Sequence, residues 1–374
     1  MGLPSCIAIP ARHRDAAAGP DDLQKTPSLW RRACRRGPGL LAGLILCAAP
    51  VAAETIRIAT YHAELSRKGP AVLLRDLTAG KDAQVDAVLT VIAAAQADIL
   101  LLLDVDWDFG GAAVAALVDG LGARGLAYPH QVALAPNAGV PSGFDLDGNG
   151  RLGEGRDALG YGRFTGDGGM ALLSRLPLGQ ITDHSAVLWS EVSAAPAAVL
   201  PVGAAAVVPL ASVAQWEVSV PLGDGVLTLL TLNANTPVFD GPEDRNGLRN
   251  ADELAFVAGL AGAVPRPVVL GRANIDPMDG EGDRAALRRL LEHPALSDPE
   301  PTGQGGGGDH AGDPALDTVD WEGPGPLRVD YILPSRDLRV IDSGVIWPAP
   351  DDPLADVVRT ASRGRLVWVD VSLP

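Results

Sequence analysis

Two short, unbroken apolar runs, Ile99–Leu103 and Val268–Leu270, do most to limit the folds open to this chain. Both are too short for a helix that could stand alone and too uniformly apolar for a strand with one wet face. They read as strands buried on both sides. Val268–Leu270 ends at Gly271 and runs on through Arg272-Ala273-Asn274-Ile275-Asp276-Pro277. A buried strand looks like this when it delivers polar side chains to a site at its end.

Other segments fill in the pattern. Thr55–Tyr61 alternates apolar and polar residues, and Gly169–Ser174, Trp216–Pro221 and Val226–Leu232 are further strands. Gln84–Ala97 places Val85, Val88, Leu89 and Ile92 at helical spacing; Ala112–Leu121, about Asp252–Leu260, and Arg284–Glu292 are also helical. Three strands close the chain: Arg328–Leu333, Val340–Ile346 and Leu366–Leu373. Asn137–Gly168 is rich in Gly and Asp and reads as a long functional or metal-bound loop, Pro237–Asn250 as a polar loop, and Gly303–Asp317 as a Gly-rich one. No period of 20–50 residues recurs. The expected fold is α/β: a four-layer α/β/β/α sandwich of two packed, mainly antiparallel β-sheets flanked by helices.

Residues 1–53 read as a leader. Within it Trp30–Ala53 has the three parts of a signal peptide: basic Trp30–Arg36, apolar Gly39–Ala49, and small Val51-Ala52-Ala53 before Glu54. The alternative is an uncleaved anchor; a lipoprotein at Cys47 is disfavoured by the large Leu46 before it. The apolar run is too short for a stable membrane span. A secreted or periplasmic domain over 54–374 is therefore expected. Cys6, Cys34 and Cys47 all precede Glu54, so residues 54–374 contain no disulfide and no thiolate metal site. The leader holds seven basic and three acidic residues, which leaves 23 basic and 43 acidic in 54–374, a net charge of −20. A surface this acidic argues against bulk nucleic-acid binding.

In order and spacing, several segments together resemble the endonuclease/exonuclease/phosphatase superfamily, the fold of deoxyribonuclease I, and its secreted bacterial branch in particular. They are Ile58–His62, Leu101–Asp104, Gly169–Pro177, Leu229–Asn233, Gly271–Pro277, Val329–Ile332 and Leu366–Asp370, with the loop Phe239–Gly247 pointing to that branch. The resemblance implies divalent-metal chemistry with Mg²⁺ or Mn²⁺: the ion polarises a phosphoryl oxygen, an Asp positions water, and a carboxylate-supported His stabilises the transition state or the leaving oxygen.

Position by position, that resemblance exposes substitutions. His62 stands where the family has a metal-binding Asn, and Asp104 or Asp106 where it has a metal-binding Glu. Asn233 replaces a catalytic His. Arg272 replaces the water-activating Asp, with Asn274 retained two residues on. Ser362-Arg363-Gly364 replaces Ser-Asp-His, so Gly364 stands for a catalytic His; Asp330, which supports that His in the family, is retained. Arg272 is expected either to fold onto Asp104 or Asp106 and take the place of the ion's charge, or to point to solvent. Together with Arg363 and Arg365 it is a candidate binder of a small anionic or phosphorylated ligand.

Separately, Asp145-Leu146-Asp147-Gly148-Asn149-Gly150-Arg151 matches the first half of a calcium loop. Arg156 occupies the position of the expected bidentate acid, leaving Asp157 or Glu154 as substitutes. The alternative is an Asp/Gly turn satisfied by its own backbone. Isolated His130, His184 and His293, and Trp189, Trp216, Trp321, Trp347 and Trp368, read as packing or surface residues. Asp309-His310 reads as solvated.

Three functions follow as expectations: an inactive descendant of the hydrolases that binds an anion and needs no cofactor; a live metal-dependent phosphodiesterase using His62, Asp104, Asn274 and Asp330; or a calcium-dependent extracellular binding module.

Overall fold

Residues 55–223, 225–308 and 311–373 are described by a computed structural model; the leader with its expected signal peptide, and Asp309-His310, lie outside the described residues. The first half of the chain forms β1 (Thr55–Leu65), α1 (Val72–Ala79), α2 (Ala83–Ala95), β2 (Ile99–Val105), α3 (Ala112–Gly122), β3 (His130–Val132), β4 (Gly169–Ser174) and β5 (Ile181–Asp183). Two single-turn helices, α4 (Trp189–Val192) and α5 (Pro196–Val199), lead into β6 (Trp216–Leu222), β7 (Gly225–Asn233), α6 (Arg245–Ala261), β8 (Pro267–Arg272) and α7 (Arg284–Leu291). Then come β9 (Val319–Trp321), β10 (Gly325–Leu327), β11 (Asp330–Pro334), β12 (Arg339–Ile346), α8 (Ala355–Ala361) and β13 (Leu366–Ser372).

The strands form a six-stranded sheet, β12-β13-β1-β2-β4-β3, a five-stranded sheet, β11-β8-β7-β6-β5, and a β9–β10 pair. Pairing is antiparallel except for β1 with β2 and β7 with β8.

The period-two geometry of β2 explains the layers. Ile99, Leu101 and Leu103 face the second sheet and meet Trp216, Val218, Leu229, Val268 and Leu270 in a core between the sheets. Leu100 and Leu102 face outward, under Val88, Ile92, Leu117 and Leu121 of α2 and α3. On the far side, Leu230, Leu232, Val269, Tyr331 and Leu333 pack against Leu254 and Val257 of α6 and Leu287 and Leu290 of α7. The expected four-layer sandwich is the observed one.

Besides the single-turn α4 and α5, which the sequence did not announce, three longer helices depart from the sequence expectation. α6 begins at Arg245, seven residues before the expected Asp252, because its first turns bury polar Arg249, Asn250 and Glu253 instead of apolar residues. α1 and α8 went unread: neither has a side-chain N-cap hydrogen bond to announce it.

The close approach of β7 and β8 depends on Gly271. It adopts φ +133°, and a Cβ there would lie 1.8 Å from the carbonyl oxygen of Leu232.

Candidate functional site

The parallel pairs set the site, because in each pair both strands end at the same edge. Irregularities in the β1–β2 register between His62 and Leu65, and in the β2–β4 register between Leu103 and Val105, mark bulges at the strand ends. Glu64 (φ 50°) and Asp104 (φ 58°) sit there in the left-handed region. Bulges re-aim side chains at such places. Asn274, just past β8, is left-handed too (φ 57°). His62, Glu64, Asp104, Asn233, Arg272 and Asn274 all line one cleft of about 790 Å³.

Arg272 dominates the floor. Directly across the β8–β11 ladder stands Asp330, and the two form a bidentate ion pair: Nε donates to Oδ1 at 2.8 Å and an Nη to Oδ2 at 2.7 Å. The side chains are 4% and 1% exposed. Arg272 therefore neither points to solvent nor folds onto Asp104 or Asp106; the register gives it Asp330. The same terminal nitrogen sits 3.2 Å from where a Cβ at Gly364 would be, and that Cβ would also lie 2.7 Å from the carbonyl oxygen of His62. One guanidinium thus fills the space beside Gly364 and holds Asp330.

Burial pushes the Asp104 carboxyl up to about 6, with Glu64 and Asp167 adding to the rise and the Ser66 hydroxyl and Arg272 opposing it. Asp106 also rises to about 6 through burial, but it accepts the backbone N–H groups of Arg67 (2.9 Å) and Gly168 (3.3 Å) and does not line the cleft. Burial, then Arg272 and Arg363, hold His62 well below the usual imidazole range, and its Nδ1 has no hydrogen-bond partner among the described residues. His62, Asp104 and Asp106 do not gather their ligand atoms within 4.8 Å of one another. With Asp330 engaged by Arg272 and no gathered set of ligand atoms, the residues do not fit the divalent ion that the fold's relatives use, which needs several oxygens in direct coordination.

The other two candidate anion-binding arginines are also engaged. Arg363 clasps Glu64, Nε to Oε1 at 2.7 Å and backbone N to Oε2 at 3.0 Å. Arg365 lies outside the cleft lining and is buried. It donates to the carbonyls of Ser362, Arg363 and Gly364 and lies over the Trp347 ring at 4.3 Å. It organises the turn before β13.

Asn233, at the end of β7, is 8% exposed and lines the cleft. Asn274 donates from Nδ2 to the Ala234 carbonyl at 2.7 Å. Trp321, expected to pack, lines the cleft wall instead, 5.8 Å from the Arg272 guanidinium. His130, His184 and His293 lie outside the lining.

Sequence reasoning missed Glu64, Asp167 with its partner Arg163, and the pair Arg249 and Glu253. Glu64 was within reach, because it follows His62 by two residues on one strand. Arg163 and Asp167 form a bidentate pair at 2.7 and 2.8 Å inside the long loop, where no periodicity could point to them. Arg249 donates to the carbonyls of Leu159, Pro209, Leu210 and Ala211. Glu253 accepts the N–H groups of Ser212 and Asn235, and burial pushes its carboxyl up to about 7. These two residues fasten the cleft's far wall to α6.

In the long loop, Asp145, Asp147 and Asp157 bring carboxylate oxygens within 4.8 Å of one another. Asp157 joins them, not residue 156. Asn149 Oδ1 accepts the Arg151 N–H at 2.8 Å, and Asp145 accepts the N–H groups of Asn149 and Gly150.

Two mainly antiparallel sheets packed between helices, with a polar cleft at the strand ends, define the class of α/β sandwiches to which many phosphoester hydrolases belong. The chain belongs to the Endonuclease/Exonuclease/phosphatase family, whose model matches residues 73–368. Among solved structures, it resembles an endonuclease/exonuclease/phosphatase from Beutenbergia cavernae DSM 12333 (18% identity, 85% of this chain and 72% of that one, TM-score 0.52). It also resembles an endonuclease/exonuclease/phosphatase family protein from Leptotrichia buccalis C-1013-b (14% identity, 85% of this chain and 100% of that one, TM-score 0.51). At these identities the likeness is one of fold. No curated protein matches the sequence.

Proposed function

We propose that this domain has left metal-dependent phosphoester hydrolysis and serves as an exported binding domain. One observation carries the reading: the buried Arg272–Asp330 pair. It places a cation at the position of the water-activating acid and consumes the carboxylate that would support a histidine. Asn233 and Gly364 remove both imidazoles as well. Losing one acid or base typically costs a factor of about 10²–10⁴, and losses within one site do not simply multiply.

The test is an assay of residues 54–374 with Mg²⁺, Mn²⁺ and Ca²⁺ on bis(p-nitrophenyl) phosphate and plasmid DNA. No turnover above the protein-free rate is expected. Turnover abolished by Asn274→Ala would instead support a live phosphodiesterase with unusual ligands. Export rests on the pattern at Trp30–Ala53; none of the helices among the described residues is long and apolar enough to cross a membrane. N-terminal sequencing of protein recovered outside the cytoplasm should begin near Glu54.

A second reading, a calcium loop, is favoured by the convergence of Asp145, Asp147 and Asp157. Calcium should raise the melting temperature, Mg²⁺ should do so less, and Asp147→Ala should abolish the effect. Equal melting with and without calcium would leave a turn held by its own backbone.

A further inference from the structure

Built on the reading that the cleft no longer runs phosphoester chemistry, the question is what the remaining groups recognise. Seven carboxylates line the cleft against three guanidiniums. Each guanidinium already holds a carboxylate: Arg163 holds Asp167, Arg363 holds Glu64, and Arg272 holds Asp330. An incoming anion would meet guanidiniums whose charge is already matched while facing Asp104, Glu281 and Glu322, which have no guanidinium partner in the lining.

The neutral groups point the same way. Asn233 is more than nine-tenths buried, lines the cleft, and its side-chain amide makes no hydrogen bond among the described residues. Asn274 spends its Nδ2 on Ala234, which leaves Oδ1 as an acceptor. With Asp104, the floor is rich in acceptors, the complement of an ammonium group with three donors and no acceptor. Trp321 and the exposed rings of Tyr161 and Phe239 line the walls, and aromatic faces attract cations and cover methylene chains. The cleft, at about 790 Å³, has the size of a small-molecule site.

We propose that the cleft binds a small linear polyamine, with one ammonium on the acceptor floor formed by Asp104, Asn233 and Asn274 and the chain running past the aromatic walls toward Glu281 and Glu322. Recognition is by charge, donor count and methylene cover, and no bond is made or broken.

The experiment is calorimetric titration of the full chain with spermidine, with inorganic phosphate and Mg²⁺ as separate arms, alongside the phosphodiester assay. Saturable one-to-one spermidine binding is expected. Asn233→Leu and Asp104→Asn should each weaken it at least about tenfold, with thermal melts confirming that the variants fold. Asp119→Asn, an exposed change on α3 outside the cleft, should leave it unchanged. Non-saturating binding, or equal weakening by Asp119→Asn, would reduce the effect to diffuse attraction by an acidic protein and overturn the site. Tighter binding of phosphate than of spermidine would overturn the ligand class. A silent phosphodiester assay without spermidine binding would reject the polyamine site alone. Phosphodiester turnover lost in Asn274→Ala would reject the underlying reading and the polyamine site with it.

Discussion

At the scale of single residues, the buried ion pair is held by register and shape together. Arg272 and Asp330 face each other in the ladder, and among the described residues each makes its charged hydrogen bonds with the other. Removing one partner strands the other. Asp330→Ala should therefore cost about 3–5 kcal/mol in a denaturant melt. The double variant Arg272→Leu/Asp330→Leu should recover most of that loss, since a matched apolar pair often replaces a buried ion pair at little cost. Gly271 carries a different constraint. Gly271→Ala must both adopt φ +133° and push aside the Leu232 carbonyl, so a loss of about 2–6 kcal/mol is expected from strain plus overpacking. Should Gly271→Ala melt like the parent, the close β7–β8 approach would be wrong.

Among the elements, α6 does the most unusual work. It turns a buried arginine and a buried glutamate toward the loops that form the cleft wall. Arg249→Met leaves four carbonyls without their donor and Glu253 without its nearest cation. Hydrogen exchange should quicken at residues 209–213, with little change in β2. Glu253 also links stability to pH. Its carboxyl is raised from about 4.5 to about 7 by burial, so between those values the folded chain binds more protons than the unfolded one. This contribution is complete below about 4.5 and is lost as pH rises through about 7. Glu253→Gln should flatten that part of the profile; an unchanged pH dependence would show that Glu253 does not titrate there. These features also mark where the sequence became opaque. Strands such as Ile99–Leu103 were legible because two-sided burial leaves an unbroken apolar run. α6 was misread by two turns because polar residues occupy its inner face, and Arg272's partner stayed hidden because register is a long-range property that no local spacing encodes.

For the molecule as a whole, charge and architecture make separate statements. The sandwich and the strand-end cleft were readable from the order of short segments, since each layer follows from which faces are apolar. The electrostatic character of the cleft was not: Arg272, Arg363 and Arg365 suggested an anion until the structure paired Arg363 with Glu64 and Arg272 with Asp330, and placed Arg365 buried outside the cleft lining. The net charge of −20 over residues 54–374 acts at longer range. Plasmid DNA should not be retarded by the protein even at low salt, where a phosphate-binding surface would hold it most strongly. Retardation that weakens steeply with added salt would reveal a phosphate-binding surface and overturn this expectation.

The contact between Gly364 and Arg272 also couples two distant stretches of chain. A side chain added at position 364 meets the guanidinium 3.2 Å from its first carbon and the His62 carbonyl 2.7 Å away. A carboxylate placed at position 272 would face Asp330 across the ladder with no cation between them. Neither position can be altered alone without disturbing the other, so a redesign that sets out to install hydrolysis in this cleft has to change several positions together. Two strand ends interlocked in this way act as a latch: the cleft is easier to tune at its rim than to rebuild at its floor.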